Sequence, residues 1–152
     1  MPVKEIIGIA SDHAGTDLKS KIIETFSDYE WIDLGPQDSD RVDYPDFAEK
    51  LSSRISSGGL SRGILICGTG VGMSIAANKF KGVRAALISD PETAKLTREH
   101  NDSNILCLGA RNISEKLNLE IVDFWTSTPF SNDERHLKRI EKIHAIERRN
   151  LK

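Results

Sequence analysis

Five short apolar runs recur along the chain, and most are followed closely by an amphipathic stretch with helical spacing. EIIGIAS (residues 5–11), WIDLG (31–35), GILIC (63–67), VRAALIS (83–89) and NILCLG (104–109) read as strands. The unbroken apolar positions of the third are what burial on both faces of a sheet produces. Between them, residues 16–26 place Leu18, Ile22, Ile23 and Phe26 at helical spacing, and residues 44–56 do the same with Phe47, Ala48, Leu51 and Ile55. Pro45 presets φ in the first turn of the second helix, and Gly58 and Gly59 end it. A short helix is predicted over 73–79, another over 92–99 with Asp90 as N-cap, and a fifth over 114–125 with Leu117, Ile121, Val122 and Trp125 inward.

Strands alternating with helices through short polar loops predict a Rossmann-like three-layer αβα sandwich around a five-stranded parallel sheet. With right-handed crossovers, the commonest order for five strands is 2-1-3-4-5, and ligands then sit outside the carboxyl ends of strands one and three. That crevice would bring Asp12 and His13 against residues 67–72. A last, long helix over 133–151 carries an apolar stripe of Leu137, Ile140, Ile143 and Ile146, with Arg135 and Arg139 on another face. Such a stripe needs a cover, for which a partner subunit is the natural candidate.

Composition narrows the class. A chain of 152 residues, 38% hydrophobic and 29% charged, fits one globular domain over 1–152. A formal net charge of -2 argues against nucleic acid or a membrane surface as partner. The N-terminal MPVKEIIGIAS reads neither as a signal peptide nor as a span, so a cytoplasmic protein is expected. Cys67 and Cys107 lie in separate strands without CxxC spacing, which predicts free thiols and no zinc site.

The candidate chemistry centres on GILICGTGVGMS, residues 63–74. Gly68, Gly70 and Gly72 let the backbone turn tightly and approach a ligand, and the helix after them favours an anion. Cys67, at the strand's end beside that helix, is placed where a thiolate is favoured. The loop fits neither standard nucleotide motif, having no third glycine in G-x-G-x-x-G register and no Gly-Lys-Ser/Thr. Other readings stay open on these residues. Asp12 could simply cap a helix and His13 lie in a solvated loop; Cys107 reads as core, and His136 and His144 read as surface groups. The loop could serve a nucleotide- or flavin-binding module, or Cys67 could pair with His100 or His13 in a cysteine hydrolase.

Taken in order, SDHAG, DYP, ICGTGVGMSIAANK, EHND, LGAR and ERHLKRIEKI resemble the type B ribose-5-phosphate isomerases and their sugar-phosphate isomerase relatives. The resemblance spans almost the whole chain. It implies interconversion of ribose 5-phosphate and ribulose 5-phosphate in the pentose phosphate pathway, with allose or galactose 6-phosphate as the alternative substrates. It also implies no metal, no cofactor, and a homodimer, or a dimer of such dimers, with residues of both subunits near each site. By the same resemblance Cys67 matches the catalytic base, His100 the residue that helps open the furanose ring, and Thr69 belongs with them as catalytic. Gly68, Thr69, Gly70, Val71 and Gly72 match the loop whose amides hold the enediolate. Asp12, His13, Asn101 and Arg111 match substrate contacts, and Arg135 and Arg139 match phosphate binders. Met73 stands where another branch of the family carries a glutamate, which is similar to the cysteine-using branch.

Overall fold

The computed structural model describes residues 2–151, so Met1 and Lys152 of the expected 1–152 unit lie outside the described residues. The elements run β1 (Ile6–Ser11), α1 (Thr16–Thr25), β2 (Glu30–Asp33), α2 (Tyr44–Ser56), β3 (Gly63–Cys67), α3 (Val71–Ala77), β4 (Ala85–Leu87), α4 (Pro91–Asn101), β5 (Ile105–Gly109), α5 (Glu115–Ser127) and α6 (Glu134–Asn150). All the strand pairings are parallel. Alternate side chains of a strand point to opposite faces, and both faces are covered. Ile7, Ile9, Ile64, Ile66, Leu106 and Leu108 join Leu18, Ile22, Ile121, Val122 and Trp125 from α1 and α5 in one buried cluster. Ala10, Leu65, Cys67, Ile105 and Cys107 join Phe47, Leu51, Met73 and Ala77 from α2 and α3 in the other. The expected three-layer architecture is therefore present, and Cys67 belongs to the α2/α3 face.

The strand order is β2-β1-β3-β5-β4, which corrects the expected 2-1-3-4-5. Exposure explains the exchange. All of Ile105–Gly109 is buried, and that segment takes the place beside β3 where both neighbours and both helical layers cover it. β4 shrinks from the expected seven residues to Ala85–Leu87, with Leu87 41% exposed, as suits a short edge strand. The chain still reverses direction between β1 and β3, so the crevice at their carboxyl ends survives the correction.

Asp90 caps α4 as expected, and Ser114, read as the first residue of the fifth helix, is the cap of α5. The Asp90 carboxylate accepts from Thr93 N–H at 2.8 Å, and the hydrogen bonds to Thr93 hold its pKa below the usual aspartate value. Ser114 Oγ accepts from Leu117 N–H at 3.2 Å. At the opposite, amino-terminal edge of the sheet lies a cleft of about 630 Å³ containing Arg62, Arg84 and Arg98. Its guanidinium groups serve helix ends. Arg62 donates to Trp125 O and Thr126 O, Arg84 to Asn101 O and Asp102 O, and Arg98 to Thr128 O and Ser103 O. Arg62 and Arg98 also sit 4.9 and 5.8 Å from the centre of the buried Trp125 ring. No helix among the described residues is long and apolar enough to cross a membrane.

Candidate active site

The crevice is built by three strand ends. Asp12 N–H donates to Ile66 O at 3.0 Å, tying the end of β1 to β3. Beyond β3, Ala110 N–H donates to Cys67 O and Arg111 N–H to Gly68 O, each at 2.9 Å, so the turn after β5 lies along the glycine loop. Buried Asn118 steadies that turn by donating to Gly109 O at 3.0 Å. Arg111 thereby comes over Gly68: its Cδ would be 3.6 Å from a Cβ placed there. The loop itself cannot easily carry side chains. Gly70 has φ +79°, and a Cβ on Gly72 would lie 2.5 Å from the Tyr44 ring, which packs against it. Tyr44 is a crevice residue that hydrophobic patterning missed, because its position at the start of α2 has no periodicity to reveal it.

Within this crevice Cys67 is buried, and Gly70 N–H donates to its Sγ at 3.2 Å. A donor aimed at sulfur stabilises negative charge there. α3 starts at Val71, two residues earlier than predicted, and has only seven residues. The amides of the loop therefore do more for an anion than the dipole of so short a helix. Thr69 is exposed at the tip, its Oγ1 accepting from Val71 N–H at 3.3 Å. Asp12 is not the cap of α1, whose N-cap is Gly15; its buried carboxylate accepts from Ala14 N–H at 2.9 Å. His13 is half-buried, with Nδ1 3.2 Å from both the amide nitrogen and the carbonyl oxygen of Val42, which leaves Nε2 as the ring's remaining hydrogen-bonding atom.

The other expected residues gather elsewhere. α4 leaves the carboxyl edge at Pro91 and runs back for eleven residues, about 16 Å at the helical rise. His100 and Asn101 consequently lie in its last turn near the amino-terminal edge, where Arg84, just before β4, bonds Asn101 O at 3.2 Å. Ser131 Oγ donates to Glu99 O at 2.6 Å and docks the start of α6 there, so exposed Arg135 and Arg139 share this second locus. In one protomer Cys67 and His100 stand at opposite ends of the sheet, and the hydrolase pairing of Cys67 with His100 has no geometric basis within it. His13, engaged by Val42, is not a hydrogen-bond partner of Cys67 either.

His136 corrects the expectation of a surface group. It is 6% exposed, and its ring stacks on His100 with centroids 4.2 Å apart and planes inclined by 24°. Burial, then His100 and Arg135, hold its pKa below the usual histidine value. Its spacing to Ile140, four residues on and also buried, was the signal that could have found it. His144 is half-buried beside Arg84, with Nε2 3.0 Å from Nη1.

A buried thiol under a glycine loop at a topological switch point, with basic side chains nearby, defines a Rossmann-like enzyme site for a small anionic substrate. The chain belongs to the Ribose/Galactose Isomerase family, whose model matches residues 7–143. It is 44% identical to ribose-5-phosphate isomerase B of Escherichia coli over 145 residues, 94% of this chain and 97% of that protein. The solved ribose-5-phosphate isomerase B of Clostridium thermocellum superposes with a TM-score of 0.91 at 47% identity, covering 95% of this chain and 98% of that one. The enzyme of Mycoplasma genitalium, solved with bound ribulose-5-phosphate, gives 0.90 at 42% identity, covering 97% and 99%.

Proposed function

We propose that this chain is an aldose–ketose isomerase that interconverts ribose 5-phosphate and ribulose 5-phosphate at a site shared by two subunits. The observation that carries the chemical part is the Gly70 N–H to Cys67 Sγ bond inside a loop of closely packed amides. Isomerisation needs a base that takes the C2 proton and returns it to C1, and in this reading the Cys67 thiolate is that base. Negative charge then develops on the enediolate oxygens. The loop amides from Gly68 to Gly72 other than those of Gly70 and Val71, which donate to Cys67 Sγ and Thr69 Oγ1, receive it, one such donor typically contributing about 3–4 kcal/mol. Thr69, with an exposed hydroxyl at the loop tip, carries the remaining proton from O2 to O1.

Two incomplete half-sites support the shared arrangement. Cys67, Asp12, His13 and Arg111 hold the sugar at one, while the partner subunit's His100 opens the furanose and the partner subunit's Asn101, Arg135 and Arg139 hold the hydroxyls and the phosphate. A two-fold axis that makes one such site makes two. The apolar surface needed for this pairing is exposed on the single chain. Val71, Ile75 and Leu87 near the crevice are 46%, 60% and 41% exposed, and Leu137, Ile143 and Ile146 along α6 are 46%, 48% and 53% exposed. Of the stripe expected on α6, only Ile140 is covered by the protomer itself. Two free, buried cysteines agree with a reducing, cytoplasmic setting and a role in pentose phosphate metabolism.

The test is a coupled assay of the purified protein on ribose 5-phosphate, with allose 6-phosphate and galactose 6-phosphate in parallel and chelator throughout. Turnover of the pentose is the expected result. Preference for a hexose phosphate would keep the mechanism and move the substrate, and silence on all of them would reject the reading.

A further inference from the structure

His136, stacked on His100, has no role assigned so far. His136 is the one polar side chain that α6 buries, sharing that face with Ile140. A helix of this composition has no packing reason to bury an imidazole where an aliphatic residue would fill the space. Its surroundings use both parts of the ring. One face lies against His100, 4.2 Å between centroids, and Nε2 faces Arg135 Nη2 across 3.4 Å. Since a guanidinium only donates, Nε2 must accept, and the ring proton belongs on Nδ1.

We infer that His136 is a positioning residue for the isomerisation: its ring face fixes the orientation of the ring-opening His100, and its Nε2 steadies the phosphate-binding Arg135. This rests on the roles proposed above for those two residues. Depression of the His136 pKa by burial and by the neighbouring His100, Arg135 and Arg139, against the opposing Asp133, agrees with a neutral acceptor. A neutral ring can lie against His100 without opposing a positive charge on it. Positioning matters because His100 is only half-buried in the last turn of α4, where its ring makes no hydrogen bond or ion pair among the described residues.

Ring opening gives a readout that general loosening of the fold would not move. Ribose 5-phosphate reaches the enzyme as a furanose, whereas erythrose 4-phosphate, an aldose with O4 phosphorylated, has no hydroxyl placed to close that ring. Initial rates on both substrates should therefore be measured for His136→Ala, His136→Phe, His136→Gln and His100→Asn. His136→Ala should lose roughly tenfold in kcat/KM on ribose 5-phosphate but under about twofold on erythrose 4-phosphate, less than a full ångström of misplacement can cost. His136→Phe keeps a stacking face and should restore the ribose 5-phosphate rate, while His136→Gln keeps an acceptor without a ring and should not.

Equal losses on the two substrates in His136→Ala, or Phe no better than Gln, would overturn the proposal. His100→Asn separates the two levels. If it splits the substrates and the His136 variants do not, only the positioning role falls; if it produces no split, the ring-opening assignment falls and His136 with it.

Discussion

Gly70 N–H points at Cys67 Sγ across 3.2 Å, and Gly70 holds φ at +79° to do so. A Cβ there would meet Leu87 Cδ1 at 2.6 Å and the Leu108 carbonyl carbon at 3.0 Å. The donor is thus aimed by a backbone conformation that only glycine adopts cheaply in that space.

Cys67→Ala should lower kcat by about 10²–10⁴-fold with little change in KM, since a general base acts in the transition state and not in substrate binding. Gly70→Ala should keep the thiol but displace the donor, lowering kcat by about 10²-fold as loss of one oxyanion donor does. Steady-state kinetics with thermal unfolding alongside checks both. A Cys67→Ala enzyme of near-normal rate would remove the base assignment.

The two thiols should differ in reactivity. Burial, and secondarily Cys67, pushes the Cys107 thiol far up from its ordinary value, so it stays protonated and inert at neutral pH. Cys67 faces the crevice with a donor on its sulfur. Alkylation followed by peptide mass spectrometry should find label at Cys67 with matching loss of activity, slowed by substrate, and none at Cys107 before unfolding. Cys107→Ala should leave the rate within about twofold of normal and cost stability only as a small buried truncation does.

Arg62 tests the amino-terminal edge. It binds Glu5 through two hydrogen bonds of 2.7 and 2.8 Å and closes the last carbonyls of α5. Arg62→Ala should destabilise the fold by about 2–3 kcal/mol, the scale of lost hydrogen bonds to a charged group. That corresponds to roughly 5–10 °C in Tm. Activity measured well below Tm should be unchanged, because the hydrogen bonds of Arg62 go to Glu5 and the end of α5 and to none of the site residues.

The sequence made the layers legible because apolar runs and helical stripes report burial directly. Asp90 and Ser114 were readable as boundaries for a similar local reason: capping is decided within four residues. Strand order was not, because the exchange of β4 and β5 depends on which segment is better covered, a property of the whole sheet. Asp12 and Cys67 could be brought together from topology alone. The separation of His100 from Cys67 could not, since it follows from the length and direction of α4. His136 was missed because histidine after arginine in ERHLKR reads as a solvated face, although its i, i+4 spacing to Ile140 puts it on the covered side of α6.

Arg139→Ala should raise KM for phosphorylated sugars about 10–100-fold while changing kcat little, the loss of a charge-assisted contact to a group remote from the reacting carbons. A series with the unphosphorylated sugar checks this, since the variant and the wild-type protein should then perform alike.

The central claim is that each site takes Cys67 from one subunit and His100 from the other. Mixing Cys67→Ala protein with His100→Asn protein under conditions that exchange subunits tests it on ribose 5-phosphate. Each mixed dimer would hold one intact site and one doubly defective site, so equal amounts should recover about a quarter of wild-type activity. If both residues acted within one chain, every site in every dimer would lack one of them, and the mixture would be no more active than its components.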